Sequence, residues 1–329
     1  MLYTKPYLAV DDQLQKLKAR GLAVSDDGRA TAYLQRIGYY RLSGYWYPLR
    51  TSRRAGEEGA QGSAVGDDFK PGAEFGQVVD LYVFDKKLRL AMLDAIERVE
   101  VGVRTSIVLH MGRRDPWSHR DPGLLDGLFA RRVDRRTGLV PHQAWLRKLD
   151  EVAARSDEQF AKHFRAKYPG ELMPIWIAAE LWDFGMLTRF YAGMRHPDKA
   201  EVAAAYGLND PLVMVSWLQA INYLRNLCAH HGRVWNRALV RQPRFPKRGA
   251  VRMLDHLADD CHRQTRLYGT AAAIRFLLRT LNPSTRWPER LAAVLQTLPC
   301  SPYLDVRQSG FFPGWEEHDL WCMWDDAVA

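Results

Sequence analysis

Apolar residues recur at three- and four-residue steps through residues 75–111. They occupy positions 81, 84, 88, 92, 96, 99 and 103. Because an α-helix turns once every 3.6 residues, this spacing places all of them on one face. The pattern therefore predicts one long helix from Phe75 to Met111.

A second helix is predicted from Pro211 towards Gly232. Asp210 stands before the proline, where its side chain can cap the first helical turn, and Gly232 is a typical residue just past a helix end. The residues with helical apolar spacing are Met214, Trp217, Leu218, Ile221, Leu224 and Cys228. They predict a buried face on this helix.

Shorter amphipathic patterns predict helices over residues 11–20, 27–37, 143–154, 157–168, 199–206, 251–281 and 288–298, and another helix that opens at Met173. Turn-forming residues predict irregular connections over 51–71, 112–140 and 234–245, with one helical turn within 124–130. The predicted fold class is all-α. It comprises a small α-rich N-terminal head with its linker loop, residues 1–72, and a helical bundle with extra C-terminal helices, residues 73–329.

The composition is that of an ordinary soluble globular protein, with 329 residues, 47% hydrophobic and 26% charged. The formal net charge of +9 suits a polyanionic partner. The four cysteines form no C-x-x-C pair, which argues for a reducing compartment and against a structural zinc site. No secretory signal begins the chain, and no apolar run approaches the roughly 18 residues of a membrane span. The predicted location is cytoplasmic, without a membrane partner.

A polar line runs beside the apolar face of the second helix. Its members are Gln219, Asn222, Asn226, His230 and Arg233. On an ideal helix they fall within an arc of roughly 80°. Amides in line with a histidine and an arginine are unusual on a face that only meets water. Polar groups this close to a core need partners, either from other helices or from a ligand.

The residue types in this stretch suit phosphoryl transfer in RNA without a metal. A histidine can take a proton from a ribose 2′-hydroxyl or give one to the leaving oxygen. An arginine can bind the phosphate and stabilise the charge that grows on it. Asn226 lies one turn before His230 and can orient either the ring or the phosphate. Arg225 lies at the edge of the apolar face.

The motif Arg225-Asn226-x-x-x-His230 resembles the R-N-x-x-x-H motif of HEPN ribonucleases. The longer string RNLCAHHGRVWNR resembles abortive-infection proteins of the AbiD/AbiF type, which are bacterial phage-defence factors of the HEPN superfamily. Further similar strings are IGYYRLSGYWYP, LYVFDKKLR, AIERVEVGVRT and PIWIAAELWDFG. The resemblance extends from Lys5 to about Trp321, and residues 51–66 look like an insertion.

This resemblance implies a HEPN-like helical bundle and an endoribonuclease that needs no metal or other cofactor. Cleavage by 2′-hydroxyl attack would leave a 2′,3′-cyclic phosphate. Arg225 would bind the phosphate, His230 would move the proton, and Asn226 would orient the groups. Because HEPN sites usually combine two motifs, a homodimer is implied. Whether a regulatory RNA or protein also binds the chain is left open by the sequence.

Several nearby residues are accessory candidates. His231 is a second imidazole, although the spacing from Arg225 favours His230, and Arg233 follows closely. Glu97 or Glu100 can pair with Arg225, or either can form an ordinary structural ion pair.

Two further accessory candidates have equally plain alternatives. Glu180 can partner Arg225 or His230, or it can be a carboxylate in water. Arg104 with His110 repeats the arginine–histidine spacing without the asparagine, so it is either a second motif or helix-end packing.

No acidic residue occurs between Asp210 and Asp255. The basic residues in that span are Arg225, Arg233, Arg237, Arg241, Arg244, Lys247, Arg248 and Arg252. Such density of one charge beside the motif predicts a nucleic-acid phosphate partner, with Arg237, Arg241, Arg244, Lys247 and Arg248 as the RNA-binding residues. The alternative is a basic face that only meets solvent.

Aromatic residues are dense in the head, at Tyr39, Tyr40, Tyr45, Trp46 and Tyr47. They indicate either packing of the head against the main body or a surface on which bases stack, with Arg41 and Arg50 on phosphates.

Two other function classes fit the same residues. The motif can be a module that binds RNA without cutting it. Alternatively, the polar line can be a buried network that specifies a dimer and has no ligand.

Overall fold

The computed structural model describes residues 6–52 and 65–322. Their α-helices are α1 (Val10–Ala19), α2 (Asp27–Ile37), α3 (Tyr39–Trp46), α4 (Phe75–Gly112), α5 (Gly127–Ala130), α6 (Pro141–Arg155), α7 (Gln159–Lys167), α8 (Ile175–Ala178), α9 (Phe184–Gly193), α10 (His196–Ala204), α11 (Pro211–Ala229), α12 (Asp255–Ala258), α13 (Cys261–Thr265), α14 (Leu267–Leu281) and α15 (Trp287–Leu295). Two short strands, β1 (Arg50–Ser52) and β2 (Val65–Phe69), pair antiparallel. The all-α prediction is confirmed.

The long helix α4 is the element on which the others assemble. It contacts α3 from the head, α11 beside it, and α14 and α15 from the C-terminal part. All seven positions of its predicted apolar face are buried. Gly102 marks the closest approach, since a Cβ there would overlap the side chain of Leu281 on α14. The core therefore runs from the head to the C-terminal helices without a break.

Helix α11 lies against α4, α9, α10 and α14. Asp210 caps it by accepting a hydrogen bond from the backbone N–H of Leu212 at 2.8 Å. The six residues of its predicted apolar face are all buried. This burial fixes the rotation of α11, so that Gln219 and Asn226 of the polar line are exposed and Asn222 is half-buried.

The predicted single helix from Met173 is wrong, because the chain forms two helices there. After α8 a 3-10 turn covers Ala179–Leu181, and Trp182 is extended. Asp183 then caps α9 by accepting from the N–H of Met186 at 2.7 Å. A capping carboxylate inside an apolar run starts a new helix, which periodicity alone does not reveal.

The predicted helix over 251–281 is also wrong, since the chain forms α12, α13 and α14 there. Asp260 caps α13 by accepting from the N–H of Arg263 at 2.9 Å, and the extended Arg266 separates α13 from α14.

The head differs from prediction at its linker. Residues 51–71 were expected to be irregular, yet both ends of this stretch pair as β1 and β2. Residues 53–64 of the expected loop lie outside the described residues. The boundary at residue 72 stays a prediction. Across residues 6–52 and 65–322, no helix has the length and apolar character needed to cross a bilayer.

Candidate active site at the end of helix α11

Helix α11 ends at Ala229 in a Schellman motif. The N–H of His231 donates to the carbonyl of Cys228 at 3.1 Å, and the N–H of Gly232 donates to the carbonyl of Leu227 at 2.8 Å. The left-handed residue that this motif requires is His231, with φ of 59°, and not Gly232 as expected. A non-glycine residue in this conformation is uncommon and costs free energy, so the surrounding structure holds it there.

A buried carboxylate fixes the chain just beyond this turn. Asp85 on α4 accepts hydrogen bonds from the backbone N–H groups of Val234 and Trp235 at 3.1 and 2.8 Å. Its other oxygen accepts from the Tyr45 hydroxyl at 2.8 Å and pairs with Arg89. One side chain therefore connects α4, the head helix α3 and the segment after α11.

Two arginines hold the head against the same turn. Arg41 on α3 donates to the carbonyl of His231 at 2.9 Å. In the opposite direction, Arg233 donates to the carbonyl of Gly44 on α3. The helix α3 is therefore positioned directly beside the histidines.

An open cleft of about 450 Å³ lies between α3 and the end of α11. Its lining residues are Ile37, Gly38, Tyr40, Arg41, Gly44, Tyr45, His230, His231, Gly232 and Arg233. Both histidines are exposed. Within the described part of the chain, neither imidazole donates or accepts a hydrogen bond, so both rings are available to a ligand.

The arginine and asparagine of the motif lie outside this lining. Arg225 is half-buried, and its Nη1 lies 3.4 Å from the Oδ1 of Asn226, which is exposed. Arg225 forms no ion pair with any described residue, although its charge acts on the nearby carboxylate of Glu100. The structure thus places the arginine and His230 in separate surroundings on one helix.

Two of the three acidic candidates, Glu100 and Glu180, contact Arg104. Glu100 accepts a hydrogen bond from Arg104 at 2.9 Å, and Glu180 lies 3.8 Å from the same arginine. Arg104 also donates to the carbonyl of Trp182. Glu97 is exposed and forms no ion pair among the described residues. The three carboxylates therefore leave the Arg225 guanidinium without a direct partner.

The arginine–histidine repeat on α4 is not brought to the cleft. His110 lies between Asp198 at 2.9 Å and Glu201 at 3.3 Å, both on α10. Asp198 also pairs with Arg114. His110 therefore joins α4 to α10 at the end of the long helix. This contact matches the alternative of helix-end packing and not that of a second motif.

The basic segment, residues 237–252, runs back along α11. Arg237 donates to the Tyr223 hydroxyl at 3.4 Å, and the N–H of Arg244 donates to the Ser216 hydroxyl at 2.9 Å. At 1.5 Å per residue, Ser216 lies roughly 20 Å from His230 along the helix axis.

Most side chains of this segment form no ion pair with an acidic residue in the part of the chain that the structure describes. Arg241, Arg244 and Lys247 are exposed, whereas Arg248 pairs with Asp259 at 2.9 Å. A strip of positive charge therefore leads away from the helix end.

Burial and neighbouring charges shift the pKa values of several side chains at this site. Burial raises the pKa of Asp85, against the opposing effects of its hydrogen bonds and of Arg89. Burial also raises the pKa of Glu100, while Arg104 and Arg225 lower it. The pKa of Arg233 is lowered by burial, and that of Cys228 is raised to about 12 by burial. Burial therefore favours the protonated thiol of Cys228.

Sequence reasoning missed Asp85 and Arg89 as organisers of the site. A signal existed, because they stand four residues apart within the apolar face of α4, where charges are costly unless paired. No group of three or more His, Cys, Asp or Glu side chains within 6–52 and 65–322 is arranged to hold a metal ion.

Fold and site together define an all-α protein with an arginine–histidine motif at an exposed helix end. A family model described as Abi-like protein matches residues 32–236, which are 205 of the 329 residues. The chain therefore belongs to the Abi-like family of abortive-infection proteins. The match covers the cleft, α4 and α11, and it ends before the basic segment. No curated protein and no solved structure matches the chain.

The left-handed histidine provides a test of the helix end. His231→Gly should raise the free energy of unfolding by roughly 0.5–1 kcal/mol, because glycine adopts positive φ without the steric cost. Thermal or denaturant unfolding measures this change in the free energy of unfolding. His231→Ala is the matched control, since it removes the imidazole but keeps the strain, and it should not stabilise. Equal stability of the glycine and alanine variants would contradict this account.

Proposed function

We propose that this protein acts in phage defence as a HEPN-type endoribonuclease that needs no metal. The observation that carries the proposal is the state of its motif. Among the residues that the structure describes, His230 is exposed at an open cleft without a hydrogen-bond partner, and Arg225 forms no ion pair. An exposed imidazole beside a cleft, and a half-buried guanidinium without a carboxylate partner among the described residues, are both available to an anionic ligand.

The reaction follows from the chemistry of these side chains. A ribose 2′-hydroxyl attacks the neighbouring phosphorus as His230, or its counterpart in a second copy, takes the proton. The bond from phosphorus to the 5′-oxygen breaks, and that oxygen receives a proton. The products are a 2′,3′-cyclic phosphate and a 5′-hydroxyl. Arg225 stabilises the extra negative charge on the phosphate, and Asn226 orients it.

A homodimer would account for the separation of Arg225 from His230 within one chain. Arg225 and Asn226 do not line the cleft that contains His230. A second copy placed around the helix end can bring an arginine of one subunit to a histidine of the other. Such a site is complete only as a pair, which supports the composite arrangement implied by the family resemblance.

Three members of the polar line weigh against a network that is closed within one chain, because Gln219, Asn226 and His230 are exposed. Glu100 and Glu180 pair with Arg104 instead of Arg225. The basic segment fits an RNA partner whose backbone extends beyond the cleft. A cytoplasmic location and control by a second RNA or protein belong to the same proposal.

Chelation tests the reaction class. Purified protein incubated with mixed single-stranded RNAs should produce fragments at the same rate with and without excess EDTA, because no step uses a metal. A reaction that stops with EDTA and resumes with Mg²⁺ would contradict the proposal. A reaction absent under both conditions, with the RNA still bound, would favour a binding module.

A further inference from the structure

Helix α3 of the head carries an aromatic side chain that the fold does not use. Tyr40 lines the cleft and is 91% exposed, and its ring packs against no other described aromatic ring. Its neighbours Tyr39 and Trp46 pack edge to face, and Tyr45 is buried at Asp85. Most of these aromatic residues of the head therefore pack within the protein, whereas Tyr40 lies on the surface.

The cleft beside Tyr40 is kept open by two glycines. A Cβ added at Gly38 or at Gly44 would meet no atom within 4 Å. Gly38 has φ of 91°, which allows α3 to begin directly after α2. The wall of α3 thus offers a surface with open space at Gly44, next to one exposed ring.

Cations surround this surface on the side of the histidines. Arg41 uses Nη1 for the carbonyl of His231, and its side chain is exposed. Arg233 completes the lining from beyond the helix end. An exposed aromatic ring beside guanidinium groups matches the chemistry of an unpaired nucleotide, whose base stacks while its phosphate meets the cations.

We propose that the head forms the substrate-binding wall of the cleft, where Tyr40 stacks on one unpaired base of single-stranded RNA and Arg41 contacts its phosphate. This inference rests on the proposed function, because it places the same substrate beside the same histidines. It specifies that the substrate is single-stranded at this point. A base inside a duplex does not offer its face to a side chain.

Binding of an RNA that cannot be cut tests the inference separately from catalysis. The probe is a fluorescein-labelled oligonucleotide of about twelve 2′-O-methyl nucleotides, which lack the attacking hydroxyl. Tyr40→Ala should weaken its binding about 10-fold, as expected for loss of one base–aromatic stack. Tyr40→Phe should retain binding, because the ring remains.

The chain offers a matched control for exposed tyrosine. Tyr7 is 89% exposed and does not line the cleft, so Tyr7→Ala should bind the probe like the unchanged protein. Gly44→Leu is a second variant that keeps α3 helical and places a side chain in the open cleft. It should also weaken binding.

The outcomes separate the two proposals. If Tyr40→Ala and Gly44→Leu both bind as tightly as the unchanged protein, or if a duplex of the same sequence binds equally well, the stacking inference is overturned. If Tyr40→Ala weakens binding although ordinary RNA is never cleaved, the stacking inference stands and the nuclease proposal fails.

Discussion

Arg225→Ala and His230→Ala should each lower the rate of RNA cleavage at least about 100-fold. This is the usual effect of removing a proton-transfer group or a group that stabilises transition-state charge. Neither variant should unfold the protein, because His230 is exposed and Arg225 forms no ion pair within residues 6–52 and 65–322. Initial rates on end-labelled RNA measure cleavage, and circular dichroism measures whether each variant is folded.

Two controls make this result specific. His231→Ala should cause a smaller loss than His230→Ala, since the spacing from Arg225 matches His230. Arg286→Ala removes an exposed positive charge outside the cleft and should cleave normally. If either motif variant cuts RNA at the unchanged rate while folded, the assigned roles are wrong. If both variants unfold, the motif is structural.

Asp85→Ala should have the largest effect on stability. It removes the acceptor of two backbone N–H groups and of the Tyr45 hydroxyl, and it leaves Arg89 buried without its partner. Breaking a buried ion pair from one side typically costs about 3–5 kcal/mol. Denaturant unfolding should therefore show a loss of this size in the free energy of unfolding.

The same network positions the end of α11, so its loss should also affect cleavage. Asp85→Asn keeps an acceptor of the same shape but loses the charge that faces Arg89. We expect it to be less destabilised than the alanine variant and to cleave slowly even where it is fully folded. Asp157→Ala, which breaks an ion pair at an exposed aspartate, is the matched control and should leave stability and cleavage unchanged. A stable Asp85→Ala would show that this carboxylate is not an anchor.

Long periodic stretches made the main helices predictable. Helices α4 and α11 have the predicted apolar faces and nearly the predicted bounds, because burial of one face per turn is a strong and repeated signal. The breaks at Asp183 and Asp260 were not predictable in this way. Each depends on one carboxylate that caps a backbone N–H, and an apolar period continues across it.

The site was only partly predictable for a similar reason. The family resemblance predicts Arg225, Asn226 and His230 as site residues, but the sequence could not show which carboxylate meets which arginine. Glu100 pairs with Arg104, four residues away on the same helix, and not with the distant Arg225. The approach of Tyr40 and Arg41 to the histidines depends on tertiary packing through Asp85, and spacing along α4 does not show which distant groups that carboxylate contacts.

The chemical identity of the fragment ends tests the central claim most directly. RNA cut by the purified protein should carry a 2′,3′-cyclic phosphate on one new end and a 5′-hydroxyl on the other, and a 2′-deoxy residue at the cleaved linkage should block the cut. Fragments with a 5′-phosphate and a free 3′-hydroxyl would mean that water or a metal-bound hydroxide is the attacking group, and would contradict the account.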